Sequence, residues 1–166
     1  MTTTAPTGTN PQVITLPRSI YIEPTSRCNE FCQQCPRTLL SREDDRDLSF
    51  ENFRYIVDQF PVLDRVVLHG LGEPLLNKEL PQMIRYLKAR STYVLFNSNG
   101  IALTPKMGQE LIDAGLDEYR LSMDGATPET YAKVRGVDAF EKIWKNVKAF
   151  ITMQKAQNAS KPVSYT

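Results

Sequence analysis

The sequence lacks a fourth cysteine and a second histidine. Its 166 residues contain only three cysteines and one histidine, so few soft metal ligands are available. A structural zinc site normally has four protein ligands, and an electron-transfer iron–sulfur cluster is normally held by four cysteines. The shortage excludes any closed metal site made of cysteine alone. A site with three thiolates leaves one metal position open.

The chain also has no excess of either charge and no apolar stretch of membrane length. Lys and Arg total 20 while Asp and Glu total 19, whereas a nucleic-acid surface needs a basic excess or stripe. No apolar run approaches the roughly 20 residues of a spanning helix. Residues 1–17 lack the basic start and apolar centre of a signal peptide. We therefore expect a cytoplasmic protein with neither a nucleic-acid nor a membrane partner.

The bulk composition fits a single globular domain. Hydrophobic residues make up 41% of the chain, and a chain of this length can bury a real core. The Thr- and Pro-rich start predicts a flexible N-terminal segment over residues 1–17. The core domain then covers residues 18–166.

Strand patterns alternate with helix patterns along this domain. Strands are predicted at 19–23, 65–69, 93–96 and 118–123, and a fifth begins at Pro162. Helices between them carry apolar residues at helical spacing, and Trp144 shares the apolar stripe of the last one, so we expect it in the core. Four β–α pairs in succession predict an α/β fold with a parallel sheet. The loops after the strands should then meet at one edge.

The three cysteines follow the first predicted strand. Cys28, Cys32 and Cys35 have the spacing C-x3-C-x2-C, and soft thiolates suit zinc or an iron–sulfur cluster. A cytoplasmic protein favours metal over a disulfide. Three interpretations stay open: an iron–sulfur cluster, a zinc site completed by His69 at the end of the second strand, or three small core residues.

The other three strand exits are also unusual. The second is the glycine-rich turn 70–74, the third is Asn97-Ser-Asn-Gly100, and the fourth begins at Ser122 and leads to Arg135. Glycines let a backbone approach a ligand closely. Because all four clusters fall on strand exits, they should surround one site.

Together these loops resemble the signature of the radical S-adenosylmethionine (radical SAM) superfamily, most closely its peptide-modifying and cofactor-maturing members. The resemblance covers residues 19–166. It implies that Cys28, Cys32 and Cys35 hold a [4Fe-4S] cluster whose fourth iron takes S-adenosylmethionine. It also implies a partial parallel (β/α) barrel, with about four of the family's six β–α units, so the chain looks truncated.

The resemblance also assigns residues to the S-adenosylmethionine site. Gly72 and Glu73 match the family's glycine-glycine-glutamate-proline motif, with Leu71 in place of a glycine. Asn97 and Ser98 match a polar turn, Ser122 would contact the ribose or carboxylate, and Arg135 would reach the carboxylate. Many members carry an aromatic residue where this chain has Gln34.

The function implied is that of a radical SAM oxidoreductase. Reductive cleavage of S-adenosylmethionine would give a 5′-deoxyadenosyl radical that abstracts hydrogen from a peptide or small molecule. A flavodoxin or ferredoxin would supply the electron. Two alternatives remain: a non-enzymatic zinc or iron–sulfur module, and an inactive fragment that keeps the cluster.

Overall fold

A computed structural model describes residues 15–39, 45–157 and 159–165. Its centre is a sheet of five parallel strands in the order β1-β2-β3-β4-β5. The strands are Ser19–Tyr21, Arg65–Val67, Tyr93–Ser98, Glu118–Leu121 and Val163–Tyr165. Because spatial order follows chain order without a reversal, the sheet has the arrangement of a barrel wall. The predicted α/β partial barrel is confirmed.

Helices connect the strands. In chain order, α1 to α6 span Pro36–Leu39, Phe50–Asp58, Leu80–Lys88, Pro105–Asp113, Pro128–Arg135 and Phe140–Ala156, with a 3₁₀ turn at Pro74–Leu76. Three of them begin at a polar cap. Ser49, Thr104 and Thr127 each accept a hydrogen bond from the backbone amide three residues later, which satisfies a donor that the helix cannot.

The core lies between the sheet and the apolar faces of the helices. Val94, Leu95 and Phe96 of the central strand β3 are fully buried, as expected for a parallel strand covered on both faces. The largest helical share comes from α3, through Leu80, Pro81, Met83, Ile84 and Leu87. The spacing of these residues in the sequence was therefore a sound guide to the core.

Several predicted boundaries were wrong. Strand β3 continues through Asn97 and Ser98, which pair with Arg120 and Leu121 of β4, so these two residues end the strand instead of forming its exit turn. The strands predicted at 19–23, 65–69 and 118–123 end two residues earlier in the structure, at Tyr21, Val67 and Leu121. The residue after each of these ends still donates one backbone hydrogen bond to the neighbouring strand, from Ile22 to Val67, from Leu68 to Leu95 and from Ser122 to Ser98.

Trp144 was also placed wrongly in the core. Its exposed fraction is 41%. The ring packs edge-on against Phe140, and the Lys148 ammonium lies 5.6 Å from its centroid. Trp144 follows the fully buried Ile143 directly, and one residue rotates a helical position by about 100°, so the ring falls at the margin of the stripe.

Two of the predicted segments extend beyond the described residues. The predicted flexible segment 1–17 lies outside the described residues up to position 14, and Thr166 of the fifth strand also lies outside them. Among the helices that the structure describes, none combines the length and the apolar character needed to cross a membrane.

Candidate functional site

A cavity of about 160 Å³ opens at the carboxyl edge of the sheet, where the strands end. All nine predicted site residues line it: Cys28, Cys32, Cys35, Gly72, Glu73, Asn97, Ser98, Ser122 and Arg135. Four loops that are far apart in sequence thus meet around one space. This edge is where parallel α/β folds place their sites.

The cysteine loop, residues 22–35, runs from β1 to α1. Cys32 is buried, whereas Cys28 and Cys35 are half-buried. Two backbone amides of the loop, those of Phe31 and Gln33, donate to the carbonyls of Arg135 and Val134 at the end of α5, each at 3.1 Å. The loop is therefore shaped by a helix that comes about a hundred residues later in the chain.

The glycine-rich loop after β2 packs onto the chain that leads into the cysteines. Oε1 of Glu23 accepts hydrogen bonds from the amides of Leu71 and Gly72, at 2.6 and 2.9 Å. A Cβ atom on Gly72 would lie 1.8 Å from the carbonyl oxygen of Thr25. Only glycine permits this approach, so the position requires glycine for packing within the protein.

Glu73 joins the second strand exit to the third. Its exposed fraction is 3%. Oε1 accepts from the Ser98 hydroxyl at 2.8 Å and the Leu75 amide at 3.1 Å, and Oε2 accepts from the Asn99 amide at 2.8 Å. Burial raises the pKa of Glu73 to about 7, against the lowering effect of these neutral donors. A carboxylate can accept about four hydrogen bonds, so capacity remains on Oε2.

The third and fourth strand exits are joined to the cysteine loop and to each other. The side-chain amide nitrogen of Asn99 donates to the side-chain oxygen of Asn29 at 2.7 Å. The Ser122 amide donates to the Ser98 carbonyl at 2.8 Å. These hydrogen bonds tie the loops together beyond the ends of the strands, so the walls of the cavity form one connected unit.

Arg135 is held by groups of this chain. Its Nη1 lies 3.0 Å from Oε2 of Glu30 and 3.5 Å from Sγ of Cys32, and its Nη2 lies 3.0 Å from Oδ2 of Asp124. Gln34 donates to the same Oδ2 at 2.8 Å. Nε of Arg135 is buried without a hydrogen-bond partner among the described residues.

Glu30 lines the cavity but was not among the residues that sequence analysis assigned to the site. It is 3% exposed, pairs with Arg135, and accepts from the hydroxyl of the fully buried Tyr131. An acidic residue between two cysteines was the available signal, because a carboxylate that becomes buried must find a cation or donors. Its partners lie 101 and 105 residues away, beyond the reach of local pattern.

The surroundings of Cys28 and Cys32 favour protonated thiols in the metal-free protein. Burial raises the pKa of the Cys28 thiol. Burial also raises the pKa of Cys32, although the hydrogen bond from Arg135 opposes this. Metal ligation requires thiolates, so loading this loop must release protons.

Three cysteines line the cavity, and the sequence holds no fourth one, a donor set that fits a cluster with one iron left open. His69 packs against Tyr21, with ring centroids 6.4 Å apart, and does not line the cavity. A mononuclear zinc site needs its ligands to converge on one point, whereas the thiolates of a cubane each bind a different iron.

Comparison with known proteins agrees with this arrangement. The family model described as the radical SAM superfamily matches residues 22–155. A tungsten-containing aldehyde ferredoxin oxidoreductase cofactor-modifying protein of Pyrococcus furiosus is 34% identical over 108 residues, covering 63% of this chain and 30% of that protein. The mycofactocin maturase MftC of Mycolicibacterium smegmatis is 28% identical over 120 residues, covering 72% and 30%.

Solved structures share the fold. SuiB of Streptococcus suis bound to the precursor peptide SuiA superposes with a TM-score of 0.70 at 17% identity, over 90% of this chain and 32% of that one. Native anSMEcpe with bound AdoMet gives 0.69 at 22% identity, over 90% and 43%. The chain spans about a third of the length of the curated relatives that it matches.

Proposed function

The chain belongs to the radical SAM superfamily, and on that basis we propose that it binds a [4Fe-4S] cluster through Cys28, Cys32 and Cys35 with S-adenosylmethionine beside it. The observation that carries this proposal is the single cavity that the three cysteines share with the exits of β2, β3 and β4. These two groups are the cofactors of the family. Once bound and reduced, they supply reductive cleavage of the sulfonium and a 5′-deoxyadenosyl radical.

The residues of this chain would bind and orient S-adenosylmethionine. The buried carboxylate of Glu73 and the backbone at Gly72 suit the ammonium of its amino acid part. The guanidinium of Arg135 suits its carboxylate, since such pairs are strong and directional. Asn97, Ser98 and Ser122 line the same cavity with short polar side chains, which suit the ribose hydroxyls.

We assign hydrogen abstraction from a peptide or small molecule as the reaction of the full-length protein. Relatives named for peptide chemistry support the first class, among them a PqqA peptide cyclase of Streptomyces rochei that is 29% identical over 121 residues. A probable GTP 3′,8-cyclase of Methanococcus maripaludis, 32% identical over 138 residues, supports the second. The electron would come from a flavodoxin or ferredoxin.

Anaerobic reconstitution tests the proposal. The chain should take up about four irons and about four sulfides, with no zinc. Cys28→Ala should remove this uptake, and His69→Ala should leave it unchanged. Zinc without sulfide, lost in His69→Ala, would instead establish the mononuclear module.

A second measurement separates an active centre from an inactive fragment. Reduction with dithionite in the presence of S-adenosylmethionine should yield 5′-deoxyadenosine. A fully loaded chain that releases none would contradict radical generation by this chain while leaving cluster binding intact.

A further inference from the structure

We propose that Glu30 and Arg135 act with opposite sign on Sγ of Cys32, the carboxylate lowering and the guanidinium raising the reduction potential of the cluster. This inference rests on the proposed function, because it requires Cys32 to be a cluster ligand. In the cysteine loop, only the three proposed ligands have an assigned role so far, and the inference adds a role for Glu30. It also gives Arg135 a task beyond the binding of a carboxylate.

The contacts define a chain of three groups. Oε2 of Glu30 lies 3.0 Å from Nη1 of Arg135, and that same nitrogen lies 3.5 Å from Sγ of Cys32. Sγ also lies 3.5 Å from Oε2. In the free thiol the sulfur donates to Glu30. Once the sulfur has lost its proton to bind iron, Arg135 is the donor that the described residues still place at this sulfur.

Burial makes these contacts consequential. Glu30 is 3% exposed, Cys32 8% and Arg135 9%. Charges act more strongly on one another where water is excluded. Tyr131 fixes the second carboxylate oxygen of Glu30 through its hydroxyl, so the carboxylate cannot rotate away from Arg135 without losing a buried hydrogen bond.

The sign of each contribution follows from electrostatics. Reduction of the cluster takes one electron from the reductant and breaks no bond in the protein. A cation and an N–H donor at a ligand sulfur stabilise the added electron and raise the potential, since hydrogen bonds and net charge near the sulfurs tune such clusters. A nearby carboxylate opposes the electron and lowers the potential.

Three variants separate these contributions. Glu30→Gln keeps the size and the acceptor for Tyr131 but removes a negative charge, so the midpoint potential should rise. Arg135→Gln should lower it. Asp124→Asn should raise it less than Glu30→Gln, because the Asp124 side chain is 44% exposed and water screens its charge.

The measurement is a dithionite titration with mediators, without S-adenosylmethionine, followed by absorbance and electron paramagnetic resonance. Glu51→Gln is the matched control, because it removes one negative charge from an exposed position of α2 outside the cavity, and its potential should equal that of the wild type. Iron content and far-ultraviolet circular dichroism confirm loading and fold for each variant.

A rise for Glu30→Gln or Asp124→Asn together with a fall for Arg135→Gln establishes the proposal, so the test requires Arg135→Gln and at least one acidic variant to be loaded. Shifts of one sign in all three, or potentials equal to that of Glu51→Gln, overturn it while the cluster assignment stands. A wild-type chain that takes up no iron overturns the proposed function, and this inference falls with it.

Discussion

Two buried carboxylates lie at opposite edges of the same sheet in opposite electrostatic surroundings. Asp117, just before β4 at the amino edge, is 1% exposed and pairs with Lys88 at 2.5 Å and with Lys161. Glu73, at the carboxyl edge, is 3% exposed and meets only neutral donors among the described residues. Equal burial therefore conceals different roles.

The pKa values show the difference. Burial works to raise the pKa of Asp117, but hydrogen bonds from Lys161 and Lys88 hold it below its ordinary value. Burial raises the pKa of Glu73 to about 7, and among the described residues only neutral groups donate hydrogen bonds to it. At the amino edge, lysines of the chain itself neutralise the buried carboxylate of Asp117. At the carboxyl edge, the buried carboxylate of Glu73 would pair with the ammonium of a ligand.

Substitution of one glycine at each edge should give the largest difference in S-adenosylmethionine binding. Gly72→Ala would drive a methyl group into the Thr25 carbonyl, so we expect S-adenosylmethionine binding to fall below detection by calorimetry. Gly115→Ala is the matched control. Gly115 has φ +78° but faces only Lys88 at 3.5 Å, so the change should cost about 1 kcal/mol of unfolding free energy and leave binding intact. Normal binding by Gly72→Ala would refute the close-packed loop.

Asp117→Asn should act on stability alone. The change leaves Lys88 and Lys161 without their shared buried partner, and urea denaturation should show a loss of about 3 kcal/mol. Asp64→Asn breaks the exposed pair with Arg18 and should cost less than about 1 kcal/mol. If Asp117→Asn also weakened S-adenosylmethionine binding, the two edges would not be independent.

The two carboxylates should give opposite pH dependences of stability. The folded pKa of Glu73 lies above its ordinary value of 4.5, so the unfolded chain loses its proton first and stability falls as pH rises from about 4.5 to about 7. The full effect is about 3 kcal/mol. Urea unfolding of the metal-free protein should show this fall, and Glu73→Gln should remove it.

Asp117 should behave in the reverse sense. Its folded pKa lies below its ordinary value of 3.8, so its stabilisation is present above that pH and is lost as pH falls further. Asp117→Asn should therefore remove an acid-induced loss and leave the fall between pH 4.5 and 7 unchanged. A profile that is flat in that range for the wild type would contradict an uncompensated Glu73.

Glu73→Gln should produce the smallest of these effects, in ligand affinity. Hydrogen bonds to charged groups contribute about 1.5–3 kcal/mol, so loss of the carboxylate charge should weaken S-adenosylmethionine binding by roughly ten- to hundredfold. Calorimetry with the loaded protein measures this change. Affinity equal to that of the wild type would mean that the ammonium binds elsewhere.

Much of the site was accessible from sequence because its residues follow strands. Parallel strands bring their carboxyl ends together whatever the details of packing, so the loops that carry Cys32, Glu73 and Ser122 could be assigned to one edge before any coordinates, whereas Arg135 was assigned through the family resemblance. The helices were accessible for a similar reason, since caps such as Ser49 and apolar spacing are local signals.

The features that the sequence did not reveal depend on contacts between residues that are distant in the chain. Glu30 acquires its meaning only from Arg135 and Tyr131, more than a hundred positions later. The predicted place of Trp144 in the core was wrong because a wide stripe does not say which of its margins the sheet covers. The end of β3 at Ser98 was hidden because pairing with β4 outweighs the turn preference of Asn and Ser.

Because the cysteine loop is hydrogen-bonded to the end of α5, these contacts form only after residue 135 has been synthesised. Cys32 leaves the ribosome 103 residues before Arg135. The three thiols of the nascent chain therefore emerge before the helix that shapes their loop. Iron delivered at that stage would meet an unshaped peptide open to oxidation. We therefore expect the cluster proposed above to be inserted only after α5 has been synthesised, and ribosome-bound chains stopped before Pro128 should retain no iron.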